Sequence, residues 1–212
     1  MKPILALYLH QPKCSIQSGN GIMKALHKYY QFKIFTRHEV EDDFFHGVKA
    51  IVVPGGIGDS DTYTYLQRAH QRRIRSFVRD GGKYMGICMG AYWADQDYFN
   101  IMENIRVVQY IKQRDACTRR PHAKYMPITW RGLNTHMYFY DGCTFTGTGQ
   151  KSVWSRYSNG DPMAIMHNNI GLIGCHPEAE QHWYNEYSWM QRHWDGGKHH
   201  FLLDFVDQLM RR

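Results

Sequence analysis

No apolar run in these 212 residues approaches the roughly 20 residues that a helix needs to cross a bilayer. Met1-Lys2-Pro3 leads at once into a short strand-like segment and then polar residues, not into the apolar core of a signal peptide. Cysteine is scarce and unpaired. The five cysteines (14, 88, 117, 143 and 175) are odd in number, irregularly spaced and without a C-x-x-C pair, which excludes a disulfide framework and a zinc ribbon. There is no internal repeat and no low-complexity linker. These absences predict a soluble, cytoplasmic protein with no membrane association, no metal and no cofactor. The length suits one well-buried core, so residues 1–212 are expected to form a single domain.

Acidic charge is also in short supply, 19 Asp and Glu against 26 Lys and Arg, for a formal charge of +7. Such a balance bears on association and not on fold. Two segments supply much of it. Between Arg68 and Arg79 the apolar residues Leu66, Ala69, Ile74, Phe77 and Val78 fall on one side of a helix, which makes the arginines its solvated face. The segment from Lys112 to Lys124 has no periodicity and contains Pro121, so it reads as an exposed loop and as the better candidate for meeting an anionic group. No recognised nucleic-acid motif accompanies either segment, and nucleic acid is not the expected partner.

The first half alternates strand-like and helical runs, the pattern of an α/β protein whose mostly parallel sheet is flanked by helices on both faces. Strands are expected at Ile4 to Leu9, Phe32 to Thr36, Ala50 to Val53 and Lys83 to Ile87. A helix carrying Ile22, Ala25, Leu26 and Tyr29 should start after Ser18-Gly19-Asn20, and the arginine helix should close at Gly81-Gly82. In the second half the runs Val107 to Ile111, Pro127 to Trp130, Met137 to Tyr140 and Val153 to Tyr157 suggest antiparallel strands added to that sheet. Met163 to His167 and Ile170 to Cys175 follow, then two helices, one with Trp183, Tyr187, Met190 and Trp194 on a face, the other with Phe201, Leu202, Phe205, Val206, Leu209 and Met210.

Gly86-Ile87-Cys88-Met89-Gly90 has the form of a nucleophile elbow. Glycines at i−2 and i+2 let the backbone bend sharply while the next helix packs close, and the central thiol stands at a helix N-terminus, where the dipole favours its anion. The plain alternative is an inert buried thiol. A thiol nucleophile needs a base, and the base needs an orienting group. His176-Pro177-Glu178 supplies both: in extended backbone residues i and i+2 face the same way, and the segment ends a strand that would share the edge of Cys88 if parallel to it. Cys175 should point oppositely, into the core. His193, His199 and His200 fit no closed zinc site, and Asp59 and Asp61 stand where a pocket mouth would be.

Together, Val53-Pro54-Gly55-Gly56, the elbow from Gly86 to Tyr92 and His176-Pro177-Glu178 resemble the class I glutamine amidotransferase-like superfamily, with its Cys-His-Glu triad in this chain order. With Tyr157-Ser158-Asn159-Gly160-Asp161-Pro162, the chain most resembles the domain found at the N-terminus of eukaryotic biotin-protein ligases and as stand-alone proteins, over about residues 3 to 180. The resemblance implies a flavodoxin-like amidotransferase fold, Cys88 as nucleophile, His176 as general acid and base, and Glu178 as its partner. The backbone N–H groups of Gly56 and Met89 would form the oxyanion hole, and Gly55, Tyr92 and Asp59 would line the substrate pocket. Glutaminases of the superfamily usually carry Gln where this chain has Tyr92, which argues against glutamine as substrate. No synthetase domain and no Gly-Arg-Gly-Arg-type biotin loop is present, which argues against a ligase. The expected function is a cysteine-dependent hydrolase or amide/acyl transferase acting on a small-molecule or peptide amide. The alternative is a non-catalytic small-molecule-binding or regulatory module that keeps the pocket. Substrate and oligomeric state are not legible.

Overall fold

The computed structural model describes residues 1–9, 16–38, 43–56, 63–64, 66 and 68–212. The apolar runs of the first half form strands β1 (Ile4–Tyr8), β2 (Gln31–Phe35), β3 (Val48–Val53) and β4 (Lys83–Ile87), with helices α1 (Ile16–Leu26) and α2 (Arg68–Arg79) among them. These strands pair in parallel in the order β2-β1-β3-β4. A single turn of helix, α3 (Met89–Tyr92), follows β4 directly. The second half contributes β5 (Arg106–Gln109), β6 (Lys124–Trp130), β7 (Leu133–Phe139), β8 (Cys143–Thr146), β9 (Ser152–Tyr157), β10 (Pro162–His167) and β11 (Ile170–Ile173), then helices α4 (Gln181–Asn185) and α5 (His199–Met210). β11 inserts beside β4 and parallel to it, and β10, β9, β6 and β7 continue the sheet antiparallel.

The strands of the parallel half read as unbroken apolar runs because both faces of the sheet are covered. Leu5, Leu7, Ala50, Val52, Met85 and Ile87 pack on the side of α1 and α5, against Ile22, Leu26, Phe205 and Leu209. Their neighbours Ala6, Tyr8, Ile51, Val53 and Tyr84 turn to the other side, where Ile74 and Val78 of α2 meet them. Ile74 and Val78 are buried, as the helical spacing requires, but Arg75 is not simply solvated. Its guanidinium donates to the carbonyls of Phe99 (2.6 Å) and Tyr98 (2.8 Å), fastening the loop after α3.

Several elements differ from the sequence expectation for local physical reasons. α1 begins at Ile16, so Ser18-Gly19-Asn20 lies inside the helix and not before it. β5 and β8 pair only with each other and not with the main sheet, because Val107 and Phe145 are buried against Met89 and Ile165 on one face of that sheet instead of extending its edge. The run to Ile111 stops as a strand at Gln109, and a 3-10 turn at Tyr110–Lys112 lets Tyr110 stack on Tyr157 with ring centroids 3.8 Å apart. The first of the two C-terminal helices ends at Asn185, with a separate 3-10 turn at Gln191–His193. Its aromatic spacing nevertheless marks one cluster, in which Tyr187 and Trp194 pack on Trp183, Tyr184, Met190 and Tyr138. Among the described residues no helix is long and apolar enough to cross a membrane.

The turn after β4 is closely packed. A Cβ at Gly90 would lie 2.0 Å from the carbonyl oxygen of Val53, and one at Gly86 would lie 2.3 Å from the carbonyl oxygen of Gly90. Since both obstacles are backbone, neither can rotate away. Gly90→Ala is expected to lower the unfolding free energy by about 3 kcal/mol, the upper part of the overpacking range, in urea titrations. An unchanged transition midpoint would contradict this close approach of α3 to β3.

Candidate active site

Parallel pairing of β4 with β11 sets Ile87 opposite Ile173 and so brings the two following segments to the same sheet edge. At the first, Cys88 adopts φ 50° and ψ −103°, a positive-φ conformation that residues other than Gly rarely take. It is held there from three sides. The Cys88 amide donates to the Ile173 carbonyl (2.9 Å), the Gly90 amide to the Pro54 carbonyl (3.2 Å), and the Tyr84 hydroxyl to the Gly90 carbonyl (2.7 Å). The Cys88 thiol, 3.7 Å from the Tyr140 carbonyl, lies at a cavity of about 270 Å³.

At the second segment the backbone differs from the extended geometry read from sequence. The Ala179 amide closes on the His176 carbonyl at 3.2 Å, so His176-Pro177-Glu178-Ala179 is a turn with proline at its second position, where the ring's fixed φ is favoured. His176 and Glu178 meet all the same, with Nδ1 2.9 Å from Oε1. The His176 amide donates to the Tyr138 carbonyl (2.9 Å), and its ring stands edge-on to Trp183 and Tyr138. Gly55 completes the seat: a Cβ there would lie 2.7 Å from His176 Cε1.

The electrostatics follow from this burial. His176 and Glu178 are almost wholly removed from water. Burial opposes a charge on the imidazole, yet the Glu178 carboxylate, and after it Cys88, outweigh burial and hold its pKa up at about 10. Cys175 is the contrast, fully buried behind His176 beside the Tyr157 hydroxyl at 3.8 Å, where burial pushes its thiol pKa up. Cys143 is likewise buried and raised.

Ser18 is the site residue that sequence reasoning missed. From the first turns of α1 its hydroxyl donates to Glu178 Oε1 (2.6 Å) and accepts the Gly55 amide (2.9 Å), joining the Glu178 carboxylate to the glycine turn. Its helical context hid it, since Ser-Gly-Asn reads as a helix start. α1 can come that close because of Gly21, where a Cβ would lie 2.2 Å from the Glu178 carbonyl oxygen. His199 Nε2 sits 3.2 Å from the same carbonyl oxygen, which gives one C-terminal histidine a supporting contact. His193 stacks on Tyr125, and among the described residues no group of three or more His, Cys, Asp and Glu is arranged to hold a metal.

The remaining candidates separate clearly. Gly55 and Gly56 line the cavity together with Cys88 and His176. Met89, directly after Cys88, is fully buried. Tyr92 does not line the cavity: its hydroxyl reaches the carbonyls of Asp141 (3.3 Å) and Gly142 (3.2 Å), because the helical turn of α3 carries its side chain toward the β7–β8 connection. The cavity is therefore not closed by Tyr92. Asp59 and Asp61 lie outside the described residues. No residue of the 112–124 loop lines the cavity among the described residues, and Arg119 turns back onto the carbonyls of Ile111 and Gln113 of its own loop. The walls not foreseen are aromatic: Tyr138, Tyr140, Trp183 and Tyr187, with Gln17 and Glu186 beside them.

Residues 12–116 match the family described as "Biotin-protein ligase, N terminal". The pyridoxal 5'-phosphate synthase subunit PdxT of Picrophilus torridus is 28% identical over 130 residues, covering 60% of this chain and 67% of that protein. Among solved structures, PurLQS from Thermotoga maritima superposes with a TM-score of 0.68 at 14% identity over 99% of this chain and 100% of its own. A glutamine amidotransferase from the same organism gives 0.66 at 10% identity over the full length of both chains. At such identities the structural likeness speaks for the fold, and the motifs and the sequence matches speak for descent. The family match, the PdxT relative and the structural neighbours together support a class I glutamine amidotransferase-like superfamily.

Proposed function

We propose that the protein is a cysteine-dependent amide hydrolase or amide/acyl transferase with Cys88 as nucleophile, His176 as proton carrier and Glu178 as its orienter. The observation that carries this reading is the buried His176–Glu178 pair, 2.9 Å apart, facing a thiol held at positive φ on the same sheet edge. Strained backbone and a buried ion pair are features that active sites tend to hold and cores tend to avoid.

In this mechanism the Cys88 thiolate adds to the amide carbonyl carbon, forming a C–S bond and placing the electron pair on oxygen. The backbone N–H groups of Gly56 and Met89 are the proposed donors to that oxyanion; one such donor is worth about 2.7–4 kcal/mol in the transition state. The C–N bond then breaks as His176 gives its proton to the leaving amine. Water, deprotonated by His176, attacks the thioester, the C–S bond breaks, and carboxylic acid and thiolate are released; a second amine in place of water completes a transfer. Support from relatives is of the same kind, since the solved structures of similar fold include glutamine amidotransferases. Tyr92 gives the cavity no side-chain donor or acceptor, so glutamine is not the proposed substrate. Biotin ligation is not part of the proposal, as the sequence has no Gly-Arg-Gly-Arg-type loop.

Alkylation by iodoacetamide at pH 7, read by intact mass and peptide mapping, is expected to fall first on Cys88, and His176→Ala is expected to slow it about tenfold or more. A rate unchanged by His176→Ala removes the base from the mechanism. On a panel of simple amides, peptides and glutamine, Cys88→Ser is expected to abolish turnover; a wild type that binds panel members without turning any over favours the binding-module alternative.

The raised pKa of His176 also has a stability consequence. Because the folded value of about 10 exceeds the unfolded one, the protonated pair stabilises the fold fully below about pH 6.5, and that contribution is lost as pH rises toward 10. Unfolding free energy measured from pH 6 to 10 is expected to fall in the wild type and to fall less in Glu178→Gln. Parallel slopes for the two proteins would mean that the imidazolium–carboxylate pair does not form.

A further inference from the structure

The walls of the cavity carry a chemistry that the Cys88 reading leaves unused. Four aromatic rings line it, those of Tyr138, Tyr140, Trp183 and Tyr187. Tyr138 and Trp183 are buried and meet edge to face with centroids 5.4 Å apart. Tyr140 is 43% exposed and stands on the same wall of the cavity as Tyr187. Aromatic rings present negative charge on their faces, and cations bind over such faces when several converge.

The charge inventory points the same way. The protein carries a net +7, yet no Lys or Arg is among the described residues that line this cavity. Among the described residues one carboxylate outside the His176 network lines it, that of Glu186, which accepts a hydrogen bond from Gln17 Nε2 at 3.3 Å. Glu186 is near enough to the rings to act on them: burial first, then a neighbouring tyrosine, then Glu186 raise the pKa values of Tyr138 and Tyr187. The positive charge of His176 is already matched by Glu178. Glu186 is exposed and needs no partner to be soluble, but an anionic substrate would meet it as a like charge, whereas a cationic one would gain both its carboxylate and the aromatic walls. At about 270 Å³ the cavity has room for an amide and one compact head group, and not for a long peptide.

Building on the Cys88 reading, we propose that the substrate is a small amide bearing an ammonium, quaternary ammonium or guanidinium group. That cation sits against Tyr138, Tyr140, Trp183 and Tyr187, with Glu186 as its counter-charge, while the carbonyl faces Cys88. Glu186 and Tyr187 determine specificity for charge and take no part in bond making.

Binding can be separated from chemistry. Calorimetry on Cys88→Ala would compare N-(2-trimethylammonioethyl)acetamide with its uncharged isostere N-(3,3-dimethylbutyl)acetamide. The cation is expected to bind about tenfold tighter or better, and Glu186→Gln or Tyr187→Leu, both at exposed or half-buried positions, should bring the two affinities together. Equal affinities, or no binding of either amide at millimolar concentration, overturn the proposal. The chloroacetamides with the same two head groups then test the thiol in the wild type, where alkylation forms a C–S bond and expels chloride. Faster labelling of Cys88 by the cationic reagent supports both readings. Tight cation binding without labelling preserves the specificity pocket and refutes the nucleophile.

Discussion

The pairing of β4 with β11 is the constraint on which the candidate site depends. Eighty-two residues, 88–169, separate these strands in the chain, yet they run parallel with Ile87 opposite Ile173. Their carboxyl ends therefore open on one edge, the place where ligands bind in α/β sheets of this kind. A single backbone hydrogen bond, from the Cys88 amide to the Ile173 carbonyl, carries the pairing one residue past the strand and ties the thiol to the segment that delivers His176. Were β11 antiparallel to β4, the imidazole would emerge at the opposite edge. The antiparallel strands β10, β9, β6 and β7 build outward from β11, and β7 supplies Tyr138, whose carbonyl holds the His176 backbone.

Around that edge, backbone strain and buried charge are kept in place by close approach. Holding Cys88 at positive φ costs on the order of 1–3 kcal/mol, which the fold tolerates because Gly86, Gly90 and Val53 leave the turn no room to relax. Glu178 would be still more costly alone, since a buried carboxylate is strongly unfavourable unless it is paired and hydrogen-bonded. His176 and Ser18 both meet its Oε1, and the same serine hydroxyl takes the Gly55 amide. Carboxylate, imidazole, α1 and the glycine turn thus form one network, in which a shift of any member disturbs the others. Cys175, one residue from His176, shows what the protein does with a thiol it keeps out of this network: it buries it fully and leaves it protonated.

Much of this was legible in the chain before folding. The elbow glycines, the Pro-Gly-Gly turn and His176-Pro177-Glu178 are local signals, each setting a backbone bend or a pair of neighbours through residues a few positions apart. The parallel half was legible for a related reason: burial on both faces leaves continuous apolar runs at β1, β3 and β4. Where the reading failed, contacts distant in sequence had overridden local pattern. Ser18 looks like a helix cap and serves instead to bind a carboxylate 160 residues away. Tyr92 looks like a pocket residue from its distance to Cys88, but its hydroxyl finds carbonyls at Asp141 and Gly142, reached only after the chain has returned through β7. The spacing of Trp183, Tyr187, Met190 and Trp194 suggested one helix, while packing on Tyr138 and Tyr184 holds the same residues together across a broken one.

By itself, then, the sequence determined the identities and neighbourhood of the candidate groups: a thiol on a bend that two glycines permit, and an imidazole two residues from a carboxylate. These depend on near neighbours and on the steric rules of the backbone. The tertiary structure decided what surrounds them. The parallel register that joins Cys88 to His176, the serine that shares the carboxylate, and the aromatic walls with Glu186 all come from segments far apart in the chain, brought together by burial on the two faces of one sheet and at its edge. Such convergence has no period and no spacing to read, because it arises only when the core closes.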